Sequence, residues 1–208
     1  MANPERLEKP GIRGWLHKPA TIKASMLLSH GAGGDSKAPL IVAVAKAFCE
    51  AGYLVLRWDL PFRQAGPRSS PGGSGLRDRN GIVQAAKELR QLAKGVPLYL
   101  AGQSYGGRQS SMVAAEDPAL ADGLLLLSYP LHPPGKPASL RTEHFSSLRT
   151  PVLFVHGTRD PFGTVEELRE AIKLIPAAAR LQVVDGAGHG VPPATAASLP
   201  SWLSAGAK

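Results

Sequence analysis

The stretch AGQSYGGRQSSMVAAE, Ala101 to Glu116, carries Ser104 between Gly102 and Gly106 in the pattern G-x-S-x-G. It follows the apolar run PLYL and continues into a segment with helix-like composition. Glycines two residues to either side permit a sharp turn from a strand into a helix, which exposes a strained serine at the strand end. The pattern also occurs in ordinary glycine-rich turns, so the meaning of Ser104 depends on the segments around it.

Short apolar segments alternate with longer amphipathic ones on both sides of this stretch. The segment 123–129 (GLLLLSY) is dominated by leucine, as in strands that are buried on both faces of a parallel sheet. The pattern predicts an α/β fold, with a mostly parallel central sheet flanked by helices on both faces, in one domain spanning residues 1–208. The predicted strands are 25–30, 53–58, 97–102, 123–129, 151–157 and 180–186, and the predicted helices are 40–50, 76–93, 105–116, 164–175 and 194–205.

Three segments fall outside this regular alternation. Residues 11–17 are predicted to add an antiparallel strand at the edge of the sheet. Residues 59–75 hold four glycines and three prolines and are predicted to form a surface loop. Pro200 is expected to start, kink or interrupt the last helix.

The composition is that of a globular protein, with 43% hydrophobic and 19% charged residues in a chain of 208. The N-terminal segment lacks the apolar core of a signal peptide, and no window reaches the roughly 18–20 apolar residues of a membrane span. We therefore expect a cytoplasmic protein without membrane attachment. The single cysteine, Cys49, excludes an internal disulfide.

The net charge of +8 raises the question of an anionic partner. Basic residues are scattered along the chain, and no aromatic residues interleave with them as a base-stacking surface requires. The sequence thus favours a solvated basic surface, and no nucleic-acid partner is predicted. The arginines that cluster loosely are Arg57, Arg63, Arg68, Arg77 and Arg79.

A nucleophilic serine needs a histidine to accept its proton and an acid to orient that histidine. His189 lies in the glycine-flanked sequence DGAGHG, just after the last predicted strand, and Asp160 follows the strand PVLFVHG. Both therefore lie at carboxyl ends of strands, on the same side of the sheet as Ser104. Asp185 is a competing acid, although it is placed to tighten the turn that carries His189. His156 is predicted to anchor its own loop.

An oxyanion hole needs two backbone N–H donors near the serine. Tyr105, the residue after the serine, is predicted to supply one donor. The second is expected from the sequence HGAGG at residues 30–34, where Ala32 is the first choice and Gly33 the second. Four further residues are candidates for contact with substrate: Arg63, Arg108, His132 and Phe162. Either arginine is able to meet a substrate carboxylate, or to be solvated or paired with an acid of the protein.

The motifs HGAGG, GQSYGG, HGTRD and GAGHG occur in this order and together resemble the α/β-hydrolase superfamily. SHGAGG, SYPLHPPGKP, LRTEH and HGTRDPFGT are similar to segments of a compact, dienelactone-hydrolase-like group of bacterial hydrolases. That group is related to a eukaryotic branch containing a subunit of a histone-acetyltransferase complex. The resemblance implies a minimal hydrolase fold without a separate cap domain, in which Ser104, Asp160 and His189 have the triad roles. Loops 61–75 and 129–145 would then form any lid.

These features predict a serine hydrolase that cleaves a carboxylic ester or related acyl bond of a small-molecule substrate, with no metal and no organic cofactor. Dienelactone hydrolase itself has a cysteine nucleophile, so the resemblance does not extend lactone specificity to Ser104. A thioesterase or a small peptidase with the same triad is an alternative. A second alternative, suggested by the eukaryotic branch, is a non-catalytic interaction module. The sequence leaves the oligomeric state open.

Overall fold

A computed structural model describes residues 3–205 of the chain. Its eight strands form one sheet in the order β1-β2-β4-β3-β5-β6-β7-β8. The pairs β1–β2 and β2–β4 are antiparallel, and all other neighbours are parallel. The strands are β1 (Glu5–Lys9), β2 (Ile12–His17), β3 (Ala24–Ser29), β4 (Tyr53–Trp58), β5 (Leu98–Gln103), β6 (Gly123–Leu127), β7 (Val152–Gly157) and β8 (Ala179–Val184).

Helices cover both faces of this sheet. They are α1 (Pro39–Glu50), α2 (Pro61–Gln64), α3 (Leu76–Leu92), α4 (Tyr105–Glu116), α5 (Val165–Ile172) and α6 (Leu199–Ser204), with 3₁₀ turns at Phe145–Ser147 and Pro193–Ser198. Buried residues of α3, α4 and α5 pack on one face, and those of α1 and α6 pack on the other. Successive residues of β3 alternate between these two cores: Leu27 belongs to the first, and Met26 and Leu28 to the second.

The predicted fold class is confirmed: a mostly parallel sheet lies between two layers of helices, and residues 3–205 contain no separate cap domain. Along that part of the chain, no helix combines the length and the apolar character needed to cross a membrane.

The predicted edge strand at 11–17 is antiparallel as expected, but it is not the edge. β1 pairs outside it, with Glu5 opposite Leu16 and Lys9 opposite Ile12. The sequence of β1, ERLEK, has four charged residues, all exposed, and therefore no apolar alternation to reveal it. Charged side chains on an outer strand are a common protection against edge-to-edge pairing.

Two proline-containing segments also differ in detail from the prediction. The loop 59–75 includes the one-turn helix α2, which begins at Pro61, a favoured residue for the first helical position. The predicted helix at 194–205 is divided, because the 3₁₀ turn ends at Ser198 and α6 begins at Leu199, with Pro200 in its first turn.

The strands β3, β5, β6, β7 and β8 are adjacent and parallel, so their carboxyl ends form one rim of the sheet. The loop 30–34 follows β3, Ser104 follows β5, and Asp160 and His189 follow β7 and β8. Ligand sites of open α/β sheets lie at this rim. The topology therefore places all the predicted site segments on one side of the molecule.

Candidate active site

Ser104 occupies the turn between β5 and α4 in a strained conformation, with φ 50° and ψ −116°. Its backbone N–H donates to the carbonyl of Leu127 at 2.8 Å, which ties the turn to the end of β6. Within residues 3–205 only one other non-glycine residue has a positive φ, Ser128 at the end of β6. A positive φ outside glycine is retained only where the surrounding structure enforces it, and such residues concentrate at functional sites.

Close backbone packing explains the two glycines of the G-x-S-x-G pattern. A Cβ on Gly102 would lie 2.5 Å from the backbone nitrogen of Gly107, and a Cβ on Gly106 would lie 2.4 Å from the carbonyl oxygen of His30. Both distances are far shorter than any real Cβ contact. The missing side chains let α4 approach β5 and β3 closely, and this approach fixes the serine at the rim.

The imidazole of His189 lies between Ser104 and Asp160. Its Nε2 is 2.7 Å from the Ser104 Oγ, and its Nδ1 is 2.9 Å from both carboxylate oxygens of Asp160. One tautomer satisfies all these contacts: Nδ1–H donates to the carboxylate, and Nε2 accepts the serine hydroxyl. The ring of Phe162 stacks on the imidazole with centroids 3.9 Å apart, which restricts rotation of the ring.

The structure brings Asp160, and not Asp185, to the histidine. The Asp160 carboxylate is buried and also accepts the backbone N–H of Phe162 at 2.9 Å. Asp185 is exposed and accepts the hydroxyl of Thr158 at 3.3 Å, which is the turn-stabilising role considered for it. His156 is fully buried, and its Nε2–H donates to the carbonyl of Gly163 at 2.8 Å, so it anchors the loop that carries Asp160.

The loop that carries His189 packs directly on the end of β7. A Cβ on Gly157 would lie 2.2 Å from the carbonyl oxygen of Ala187, so only glycine leaves room for this approach. The backbone N–H of Arg159 also donates to the Ala187 carbonyl at 2.8 Å. These contacts hold the histidine loop against the loop that carries Asp160, and they set the spacing between the two side chains.

The loop 30–34 lies beside the serine, since a Cβ on Gly31 would be 3.5 Å from the Cβ of Ser104. His30 is fully buried; its Nδ1–H donates to the Gly31 carbonyl at 2.8 Å, and its Nε2 accepts the Leu60 N–H at 3.1 Å. Burial is the main cause that lowers the pKa of His30, which agrees with a neutral ring that accepts a hydrogen bond. The histidine of the HG motif is thus an anchor for the loop.

Two backbone N–H groups are available as oxyanion donors. Tyr105 is the first residue of α4, and the N–H of that position has no intrahelical acceptor. Ala32 donates its N–H to no backbone group within residues 3–205. The Tyr105 phenol points away from this role: it donates to Asp78 at 2.6 Å, and burial followed by this hydrogen bond raises its pKa.

Arg63 is positioned behind the loop 30–34 instead of in the cleft. Its guanidinium donates to the carbonyls of Gly34 at 2.9 Å and Ala32 at 3.0 Å, and also to that of Pro67. These bonds hold the carbonyls of Ala32 and Gly34, the residues on either side of Gly33. Arg63 therefore supports the backbone of the loop and does not line the cleft, and its contact with substrate stays a prediction.

His132 is also directed away from the cleft. It is buried, with Nδ1 2.8 Å from the Pro133 carbonyl and Nε2 3.3 Å from the carboxylate of Glu167 in α5. Its own backbone N–H donates to the Phe162 carbonyl at 3.0 Å. His132 thus connects the proline-rich loop to the start of α5 and does not line the cleft, and the substrate contact predicted for it stays a prediction.

A cleft of about 660 Å³ opens above Ser104 and His189. The predicted residues Ala32, Gly33, Tyr105, Arg108 and Phe162 line it. Both predicted lid loops also border it, the first through Pro71 and Gly73 and the second through Pro130 and Arg141. Arg141 could not be singled out from the sequence, because the loop around it has no periodic pattern. In the described part of the chain, no group of three or more His, Cys, Asp or Glu side chains is arranged to hold a metal ion.

A parallel sheet with a strained serine after its central strand, followed by an acid and a histidine at the next strand ends, defines the α/β-hydrolase class. Residues 22–200 match the family model described as "Alpha/beta hydrolase domain", and the chain belongs to this family. The resemblance inferred from the motifs is confirmed.

Solved structures share this fold along most of the chain. TT1662 from Thermus thermophilus is 23% identical, with a TM-score of 0.76 over 99% of this chain and 98% of that chain. Dienelactone hydrolase from Anabaena variabilis is 18% identical, with a TM-score of 0.77 over 98% and 96%. XC6422 from Xanthomonas campestris, described as an α/β serine hydrolase without lid, is 20% identical, with a TM-score of 0.72 over 91% and 87%. At these identities the likeness establishes the fold.

Proposed function

We propose that this protein is a serine hydrolase that cleaves a carboxylic ester or a related acyl bond of a small-molecule substrate. The observation that carries the proposal is the continuous contact from Ser104 Oγ to His189 Nε2 at 2.7 Å and from His189 Nδ1 to Asp160 at 2.9 Å. Both distances are within the range needed for proton transfer from the nucleophile to a base that an acid orients. The description of XC6422 as a serine hydrolase supports the same assignment.

In the proposed reaction, His189 Nε2 accepts the hydroxyl proton while Ser104 Oγ attacks the substrate carbonyl carbon. The carbonyl π electrons move to oxygen, and the N–H groups of Tyr105 and Ala32 stabilise this oxyanion. Collapse of the tetrahedral intermediate expels the alcohol, which takes the proton from His189. Water then attacks the acyl-enzyme with His189 again as base, and release of the acid restores Ser104. Asp160 keeps the imidazole oriented and stabilises its protonated form.

The form of the site supports a small-molecule substrate. The cleft has a volume of about 660 Å³. That volume lies within the range of small-molecule sites, roughly 300–1,000 Å³. A thioester places the same carbonyl before the same nucleophile, so the substrate panel includes both bonds.

The proposal is tested with an activity-based fluorophosphonate probe and short p-nitrophenyl esters and thioesters. The wild-type protein should be labelled and should hydrolyse the esters, and Ser104→Ala should abolish both. Ser201→Ala is the matched control, since Ser201 is an exposed serine of α6 whose hydroxyl donates to the Ser198 carbonyl at the end of the preceding 3₁₀ turn. A folded wild-type protein that is neither labelled nor active would overturn the proposal and favour the interaction module.

A further inference from the structure

Two arginines line the same cleft as Ser104. Arg108 lies on α4 one turn after the nucleophile, and its backbone N–H donates to the Ser104 carbonyl at 2.9 Å. Arg141 lies on the irregular loop that follows β6. Both side chains are half-buried, so their charges are only partly solvated. The cleft therefore combines the serine with two positive charges that come from different segments of the chain.

Within residues 3–205, no acidic side chain forms an ion pair with Arg108 or Arg141. The Nε of Arg108 is buried and has no hydrogen-bond partner in that range. Arg141 donates from Nη1 to the Pro130 carbonyl at 3.3 Å, a long bond. Buried polar groups of native proteins are normally satisfied, so the guanidinium of Arg108 has unmet hydrogen-bonding capacity beside the cleft.

Other arginines of the chain have protein partners that explain their positions. Arg13 and Arg90 form salt bridges with aspartates, and Arg63 and Arg180 donate to two or more backbone carbonyls each. Arg108 has neither kind of partner within residues 3–205. Its side chain is directed to the substrate cleft without a stabilising contact that would explain its position.

The charged groups around the pair increase its demand for an anion. Burial lowers the pKa of Arg141, and the positive charge of Arg108 lowers it further. His144 is neutral near pH 7, because burial, followed by the charge of Arg108, lowers its pKa to about 4. Glu143 is the acidic residue whose negative charge raises the pKa of Arg141. Its side chain is exposed, and it forms no salt bridge with either arginine in the described range. An anionic ligand would relieve both the mutual repulsion and the unmet hydrogen bonding.

The backbone positions of both arginines are fixed in advance. Arg108 is held by the first turn of α4. Arg141 donates its N–H to the Leu131 carbonyl at 2.8 Å, and its own carbonyl accepts the Tyr129 hydroxyl at 2.6 Å. A fixed backbone lowers the entropy that these residues lose when they bind a carboxylate, which a guanidinium matches with two parallel hydrogen bonds.

We propose that the cleft is specific for substrates that carry a carboxylate in addition to the scissile acyl bond, and that Arg108 and Arg141 bind this carboxylate. The inference rests on the serine-hydrolase function proposed above and names its substrate class. The two arginines are specificity residues, and the bond-breaking steps remain with Ser104, His189 and Asp160.

The test compares paired esters that differ only in charge. Mono-p-nitrophenyl adipate carries the carboxylate on the acyl side, and p-nitrophenyl methyl adipate is its neutral partner. The pair 4-acetoxybenzoate and methyl 4-acetoxybenzoate places the charge on the leaving group. We expect the wild-type kcat/KM to favour the charged member of at least one pair. Arg108→Gln and Arg141→Gln should each lower that preference about tenfold to a hundredfold, the usual effect of losing a hydrogen bond to a charged group.

Arg169→Gln is the charge-matched control, because Arg169 is an exposed residue of α5 that pairs with Glu166 and does not line the cleft. It should leave both kcat/KM values unchanged. Arg108→Lys keeps the charge without the planar fork and should retain part of the preference, which also provides a second variant if Arg108→Gln fails to fold. A charged-to-neutral ratio that stays at the wild-type value in both glutamine variants would overturn the proposal.

Binding separates this proposal from the proposed function. Two variants are titrated calorimetrically, Ser104→Ala and the double variant Ser104→Ala with Arg108→Gln. Each is titrated with mono-p-nitrophenyl adipate and, separately, with its methyl ester. Tighter binding of the charged ester that is lost with Arg108→Gln supports the carboxylate site even if the wild-type protein hydrolyses neither ester. The opposite result is hydrolysis that depends on Ser104, with the same binding and turnover for the charged and the neutral ester. That result would support the hydrolase function and exclude the carboxylate site.

Discussion

Replacing Gly106 with alanine tests whether the close packing of α4 against β3 sets the position of Ser104. The added Cβ would lie 2.4 Å from the carbonyl oxygen of His30 and 2.9 Å from the Cβ of Ser29. One of these atoms is backbone and the other is the first carbon of a buried side chain, so neither can rotate away. Ordinary contact begins at 3.4 Å, and α4 must therefore retreat by about 1 Å from the strand.

The size of the effect follows from that displacement. Overpacking of this kind costs about 1–3 kcal/mol in the free energy of unfolding. For a chain of this length the loss corresponds to a fall in Tm of about 2–12 °C. Ser104 moves with the first turn of α4, and a misplacement of about 1 Å at a reacting group lowers the rate about a hundredfold. We expect Gly106→Ala to lose both stability and ester hydrolysis.

Urea unfolding followed by circular dichroism measures the stability, and Gly33→Ala is the matched control. A Cβ on Gly33 would have no atom within 4 Å, and its φ is outside the left-handed region. That substitution should leave stability unchanged or raise it by up to about 1 kcal/mol, because it reduces the freedom of the unfolded chain. If Gly106→Ala is as stable as Gly33→Ala, the packing does not constrain the helix and the reasoning fails.

Three further predictions concern the supporting residues. Arg63→Ala removes the side-chain donors to the loop after β3 and should lower kcat on a neutral ester about tenfold to a hundredfold. This effect is smaller than the loss of a whole oxyanion donor, which costs roughly 2.7–4 kcal/mol in the transition state. An unchanged kcat in steady-state assays would contradict this role. Asp160→Asn should keep the fold but lower kcat by about 10⁴, because an amide stabilises the wrong tautomer of His189, and the same assay shows whether activity survives. Acidification should destabilise the fold, since burial and then a neighbouring arginine hold the pKa of His17 and of His144 at about 4. In the unfolded chain these histidines bind protons from about pH 6.5 downward, whereas in the folded protein they do so only near pH 4. The free energy of unfolding therefore falls between about pH 6.5 and 4 and is constant below, and at pH 5 each histidine has lowered it by about 2 kcal/mol. Urea unfolding of His144→Phe at pH 7 and pH 5 should show a smaller loss than the wild type, and an equal loss would exclude His144 as a source.

The regular elements could be predicted because each has a pattern that burial imposes. The leucine-rich β6 is buried at every position, and α4 coincides with the predicted 105–116. The strand β1 has no such pattern because it is exposed, and its pairing with β2 depends on the turn between them. Sequence periodicity reports burial, so an exposed edge strand is the element that it misses.

The candidate site divides in the same way. The three residues predicted to form a triad follow predictable strand ends, and the structure brings Ser104, Asp160 and His189 into contact. The directions of Arg63 and His132 were not predictable, because each depends on partners far away in sequence, the loop after β3 and Glu167 of α5. A residue's position on a loop does not determine its side-chain contacts.

The chemistry and the proposed specificity of this cleft rest on different kinds of structure. Ser104 is flanked by Gly102 and Gly106, where an added Cβ would lie 2.5 and 2.4 Å from the backbone of a neighbouring segment, so an added atom at either position disturbs the reacting groups. Arg141, in contrast, projects from an irregular loop, and a change of its side chain displaces no strand or helix of the sheet. It follows that the loop after β6 can alter which acyl compounds enter without altering how Ser104 reacts. Substituting Arg141 should therefore change the order of preferred substrates while the fluorophosphonate labelling of Ser104 persists.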